Sequence, residues 1–112
     1  MREELRNPLR IEHMKEAIDN IRSFMKEKTL EDLQNDKLLF YGVVKNIEIL
    51  GEAAFMLTND FKEAHNEIPW KEIIGMRHVL VHDYYQIDPI RVYKVYEEDL
   101  PFLSQTLNTL KL

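Results

Sequence analysis

Apolar residues recur along most of this chain at alternating steps of three and four, which places them on one face of an α-helix. No segment shows the period of two that marks a half-buried strand. After Asn7-Pro8, read as an N-cap followed by a proline in the first turn, Ile11, Met14, Ile18, Ile21 and Met25 form one seam with Ala17 and Phe24 beside it. This predicts a long amphipathic helix. Thr29-Leu30-Glu31-Asp32 has the pattern of a capped short helical turn. A second long helix is predicted from about Asp36 to Thr58, where Leu39, Val43, Ile47, Leu50, Ala54 and Leu57 make the stripe and Phe40, Val44 and Phe55 widen it. So wide an apolar surface suits a central helix packed on more than one side. Gly42 and Gly51 inside it each weaken a helix by roughly 1 kcal/mol relative to alanine, and close helix crossings at those points are the expected return.

Asn59-Asp60 closes that helix, and Phe61 to Asn66 reads as a connecting turn. Pro69 opens a third long helix that runs toward Asp83. Asp88-Pro89 repeats the cap-and-proline device and starts the last helix, with Ile90, Tyr93, Tyr96, Leu100, Leu103, Leu107 and Leu110 in step. Pro101 falls inside that pattern and is expected to kink or split it. The predicted fold is all-α, an antiparallel bundle of four to five helices with short connections.

Composition narrows the class. With 112 residues, 45% of them hydrophobic, the chain reads as one domain spanning residues 1–112. It has no cysteine, which removes disulfides, thiolate metal sites and thiol nucleophiles. The N-terminus, Met1-Arg2-Glu3-Glu4-Leu5-Arg6, lacks an apolar signal core, and no run approaches membrane-spanning length. A soluble cytoplasmic protein with no membrane partner is expected. The formal charge of −5 argues against coating nucleic acid by bulk electrostatics and leaves room for a local site.

One stretch gathers cationic and titratable side chains inside an apolar run: Arg77-His78-Val79-Leu80-Val81-His82-Asp83-Tyr84-Tyr85. On a helical projection Ile74, Met76, Val79, Leu80 and Val81 cover more than half the circumference, and Lys71, Gly75, His78 and His82 form a polar stripe. Arg77 falls between Ile73 and Val81, in the middle of the apolar arc. An arginine there requires a partner, either in the interior or on a second surface. On the central helix, Glu52 lies close to the apolar stripe and could hold an arginine. Glu48, beside Lys45, reads as exposed, with Asn46 nearby.

His78 and His82 have the spacing of two metal ligands on a helix, but two ligands do not make a site. Neither His13 nor His65 sits three residues after a glutamate, as a di-metal bundle would need. No metal or cofactor is expected. A glycine-rich phosphate loop and a serine elbow are also lacking. What remains is histidine acid–base chemistry beside a guanidinium, which suffices to cleave RNA by attack of its own 2′-hydroxyl. Arg77 and His82 are five residues apart, roughly 140° around a helix, so within one chain they do not easily meet at one phosphate. Two-fold pairing of this helix with its copy would bring two of each into one cleft and bury the apolar arc. Geometry allows the alternative equally: Arg77 pairs with an acidic group of its own core and both histidines are surface residues.

Arg77, four residues, His82, one residue and Tyr84 resemble the R-x4-H-x-Y motif of the HepT-like HEPN toxins, including a polar residue, His78, directly after the arginine. The segments Ile68-Pro69-Trp70 through Met76-Arg77, Val44-Lys45-Asn46 through Gly51-Glu52-Ala53, and Glu98-Asp99-Leu100-Pro101 look like the same family, so the likeness covers nearly the whole chain. The resemblance implies a HEPN fold, a homodimer, and a metal-independent ribonuclease whose active site forms at the dimer interface. By that likeness Arg77 and His82 would be catalytic; His78, Asn46 and Glu52 are supporting candidates on the reading of the residues themselves. The resemblance also implies an MNT-type nucleotidyltransferase antitoxin that transfers AMP to Tyr84, with Tyr85 as the neighbouring alternative. The substrate class implied is tRNA or mRNA. Among the basic residues Lys71, Arg77, Arg91 and Lys94 are the candidate RNA contacts, with a solvated surface role the simpler reading for all but Arg77. The rival readings are a non-catalytic HEPN helical module that binds a nucleotide or docks the nucleotidyltransferase, and a metal-binding bundle using His78 and His82.

Overall fold

The apolar seams become helices close to where the pattern puts them. The computed structural model describes residues 3–82 and 87–110, with residues 3, 4 and 78–82 described by their backbone alone. A 3-10 turn, Glu3–Arg6, leads into α1 (Asn7–Met25), followed by α2 (Leu30–Asn35), α3 (Lys37–Met56), α4 (Asn59–Ala64), α5 (Trp70–His82), α6 (Pro89–Lys94), a π-helical segment (Val95–Asp99) and α7 (Leu100–Asn108). There is no strand among the described residues, and the fold is all-α. No helix among them is long and apolar enough to cross a membrane.

The central helix is α3, which packs most extensively against α1 on one side and α5 on another. Ile11, Met14, Ile18, Ile21 and Met25 of α1 and Val43, Ile47, Leu50 and Ala54 of α3 are buried in one core, closed by Leu100, Leu103 and Leu107 of α7. Burying an aliphatic side chain of this size contributes roughly 1.5–3 kcal/mol, so this seam supplies most of the apolar driving force. Asn46, buried within it, donates from Nδ2 to the Gly42 carbonyl at 2.8 Å and accepts from Asn20 Nδ2 at 3.1 Å. That pair ties α3 to α1.

The capped turn at Thr29 forms as a reciprocal box. Asp32 N–H donates to Thr29 Oγ1 at 3.2 Å, and Thr29 N–H donates to the Asp32 carboxylate at 2.8 Å. The Thr29 backbone bond, joined by its hydroxyl, holds the Asp32 carboxyl below the usual carboxylate range.

Four local expectations need correction. Asn7 is not the N-cap of α1: Arg6 holds that position with helical dihedrals, because the 3-10 turn runs straight into the helix. The Asn7 side chain instead crosses to Thr58, donating to its hydroxyl at 3.0 Å and accepting from its N–H at 3.2 Å. Residues 59–64, expected as helix end and turn, form α4, because Thr58 is a cap whose hydroxyl accepts from Phe61 N–H at 3.3 Å. Phe55 does not widen the buried stripe; it is half-exposed. Of the two glycines of α3, Gly42 is no tight crossing, since an added Cβ would meet the Phe24 ring at an ordinary 3.5 Å.

Pro101 splits the last helix as expected, and the device is visible. The N–H of Leu100 donates to the Val95 carbonyl, five residues back. This wide turn lets α7 restart with Pro101 in its first turn, where a missing N–H leaves no bond unmade.

Candidate active site around Arg77

The site begins with a glycine. At Gly51, α3 and α5 approach so closely that an added Cβ would overlap Arg77 Cβ, while also lying 3.2 Å from Arg77 Cα and 3.1 Å from the Ile73 carbonyl oxygen. The backbone of Arg77 therefore rests directly on α3. Glu52, the next residue, accepts a hydrogen bond from Arg77 Nη1 at 2.5 Å. Phe55, one turn further along α3, places its ring centroid 4.6 Å from the guanidinium carbon. Three consecutive features of one helix thus hold the arginine by backbone contact, by charge and by a cation–π contact.

The partner that the apolar arc demanded for Arg77 lies in the same chain and at the surface. The Arg77 side chain is 24% exposed and that of Glu52 is 57% exposed. At such exposure an ion pair contributes roughly 0.2–1 kcal/mol, so the arrangement orients the guanidinium more than it stabilises the fold. Among the described residues Glu52 is the guanidinium's one hydrogen-bond partner. A guanidinium carries five N–H donors, which leaves others for an incoming anion such as a phosphate.

The remaining expected site residues divide. The Asn46 amide is used between α1 and α3, accepting from Asn20 and donating to the Gly42 carbonyl. Glu48 pairs with Lys45 at 3.7 Å on the outer stripe of α3, as expected. His78 and His82 belong to α5 by backbone, their side chains lie outside the described residues, and so do Tyr84 and Tyr85. Lys71, Arg91 and Lys94 are exposed. His13 is exposed on α1, and His65 sits at the end of α4, against the Phe61 ring and 3.9 Å from Glu67.

Groups with displaced pKa lie on other elements. Burial pushes the Tyr93 hydroxyl up, helped by the Glu97 carboxylate. Burial, with Glu98 alongside, raises Asp99, and burial lowers Lys62.

Sequence reading missed Phe55 as part of the site because its neighbours in the apolar pattern drew it into the core. The available signal was its step from the charged stripe: Lys45, Glu48, Glu52 and Phe55 follow at three, four and three.

Comparison with known proteins places this sequence in a family. The pattern of the family described as ribonuclease HepT-like matches residues 14–110, which include Gly51, Glu52, Phe55 and the whole Arg77 to Tyr84 run. The chain belongs to the HepT-like ribonuclease family. It is 39% identical over 101 residues to "Probable ribonuclease HepT" of Thermococcus cleftensis, covering 90% of this chain and 92% of that protein. It is 37% identical over 90 residues to "Putative RNase MJ1380" of Methanocaldococcus jannaschii, covering 80% and 83% respectively. No solved structure matches the chain at a significant level. For a HepT-like chain, the clasp on Arg77 acquires meaning as the setting of the first residue of the R-x4-H-x-Y motif.

Proposed function

We propose that this chain is a metal-independent RNA endonuclease, the toxin of a HEPN/MNT toxin–antitoxin pair, acting as a cytoplasmic homodimer in a single HEPN domain. The observation that carries this reading is the ribonuclease HepT-like match over residues 14–110, within which Arg77, His82 and Tyr84 stand at the spacing of the motif. The clasp of Gly51, Glu52 and Phe55 supports it, because a guanidinium held in one orientation with spare donors is suited to a phosphate.

In this account neutral His82 takes the proton of the RNA 2′-hydroxyl as that oxygen attacks the adjacent phosphorus. The bond from phosphorus to the 5′-oxygen breaks, and an imidazolium returns a proton to the leaving oxygen. One product ends in a 2′,3′-cyclic phosphate and the other begins with a 5′-hydroxyl. Arg77 stabilises the added negative charge on the phosphoryl oxygens. Pairing α5 with its copy supplies the second imidazole and overcomes the roughly 140° that separates Arg77 from His82 on one helix. The antitoxin acts through Tyr84: its phenolic oxygen attacks the α-phosphorus of ATP, pyrophosphate leaves, and the bound AMP sets bulk and negative charge where substrate phosphate should lie.

Incubation of the purified protein with tRNA and with mRNA, with and without chelator, beside Arg77→Ala and His82→Ala, tests the reading. Cleavage should survive chelation and disappear in both variants. Loss of cleavage with chelator alone would favour the metal-binding alternative through His78 and His82, and no cleavage by a folded, unmodified dimer would favour a non-catalytic module. Mass spectrometry after incubation with the cognate nucleotidyltransferase and ATP should find an adenylyl group on Tyr84; its absence from Tyr84 and Tyr85 alike would reject the switch.

A further inference from the structure

We propose that Phe55 is a stacking platform for an unpaired nucleobase next to the phosphate bound at Arg77, so that the RNA is single-stranded where it is held. This rests on the ribonuclease reading above and adds a substrate class to it.

Phe55 is 50% exposed, more than Ile49 at 38% and Met56 at 36%, while Leu50 and Ala54 of the same helix and Leu57 at its C-cap are buried. It lies on the charged stripe of Lys45, Glu48 and Glu52, so the core does not account for its aromatic character. Its ring lies 4.6 Å from the Arg77 guanidinium, and the Glu52 carboxylate occupies one edge of that guanidinium. A phosphate is repelled from the Glu52 edge and meets the donors that remain. Each RNA phosphate joins two nucleosides, so a phosphate bound there brings a flanking base within reach of the half-exposed ring. A surface ring offers a π-face to any base. In a duplex the bases are stacked inside and cannot turn out onto it, whereas in a loop or single strand they can.

Tyr41 supplies an internal control. It is also on α3 and 61% exposed, yet it lies fourteen residues before Phe55, roughly 21 Å along the helix.

The test is fluorescence anisotropy in a His82→Ala background, so that the strand stays intact. It uses a dye-labelled single-stranded RNA, its duplex, and an abasic ribose-phosphate strand of equal length. Phe55→Leu should weaken single-strand binding about 10-fold, Phe55→Tyr and Tyr41→Leu should not, and the Phe55→Leu effect should vanish on the abasic strand. Three results would overturn the proposal: no single-strand binding by the parent, unchanged binding by Phe55→Leu, or an equal loss on the abasic strand. The last would mean that Phe55 only steadies Arg77. Loss of self-association in Phe55→Leu with RNA affinity unchanged would assign the ring to a second copy of the chain instead. Cleavage is not read in this assay, so its outcome is separate from failure of the ribonuclease reading.

Discussion

The Glu52 carboxylate on α3 accepts a 2.5 Å hydrogen bond from the Arg77 guanidinium on α5. The residue before it, Gly51, is where the two helices meet backbone to side-chain root. One glycine thus decides whether the ion pair can form, and the consequences differ from those of the other glycine in the same helix.

Gly51→Ala forces a methyl group into Arg77 Cβ and against the Ile73 carbonyl, with no flexible atom to yield. Overpacking of this kind typically costs about 1–3 kcal/mol, and α5 should shift enough to lower RNA cleavage. Gly42→Ala meets only the edge of the Phe24 ring at 3.5 Å, and the gain in helix propensity should leave it neutral or up to about 1 kcal/mol more stable. Urea denaturation of the two variants should give opposite signs.

Asn46 and Glu52 separate stability from site. Asn46→Ala removes a buried amide and leaves Asn20 Nδ2 without its acceptor, which should cost about 1–3 kcal/mol. Glu52→Gln loses only a solvent-exposed pair and should change stability by less than about 1 kcal/mol. Its effect should appear instead in RNA binding, as altered affinity and salt dependence, because the charge beside Arg77 has changed. Denaturation curves paired with binding at two salt concentrations check both.

Two aspartates should affect the pH dependence of stability in opposite directions. The folded Asp32 carboxyl is held below its ordinary 3.8, mainly by the Thr29 N–H. Its contribution is therefore present above that value and lost as pH falls through the lower folded one. Asp32→Asn should flatten the acid limb of the stability curve. Asp99 is raised by burial and Glu98, so its charged form weakens the fold once pH rises past the folded value, and Asp99→Asn should be more stable than the parent at neutral pH. Thermal melts from pH 3 to 7 would reveal both signs.

Much of this was legible in the sequence because three- and four-residue spacing is a direct consequence of helix geometry. The seam from Ile11 to Met25, the stripe from Leu39 to Leu57 and the break at Pro101 all appear where spacing and proline chemistry put them. The need of Arg77 for a partner was legible too, and Glu52 was a sound candidate, since it borders the stripe that faces α5. Asn7 and Thr58 were not legible as a pair. They are 51 residues apart, and a local cap reading satisfies Asn7 without any knowledge of where the second long helix ends. Phe55 was misread because its position beside Ala54 suggests core; its step from the Lys45, Glu48 and Glu52 stripe marks the exposed face, and the tertiary position of Arg77 adds that the ring lies over a cation.

The central claim is that RNA is cut by its own 2′-hydroxyl, with Arg77 and His82 and without a metal. The most direct measurement compares an RNA oligonucleotide with the same strand carrying 2′-deoxyribose at the mapped cleavage position, both in excess chelator. The account predicts cleavage of the first to a 2′,3′-cyclic phosphate and a 5′-hydroxyl, and none at the substituted position in the second. Cleavage of the deoxy-substituted strand at that position, or products ending in a 3′-hydroxyl, would contradict it.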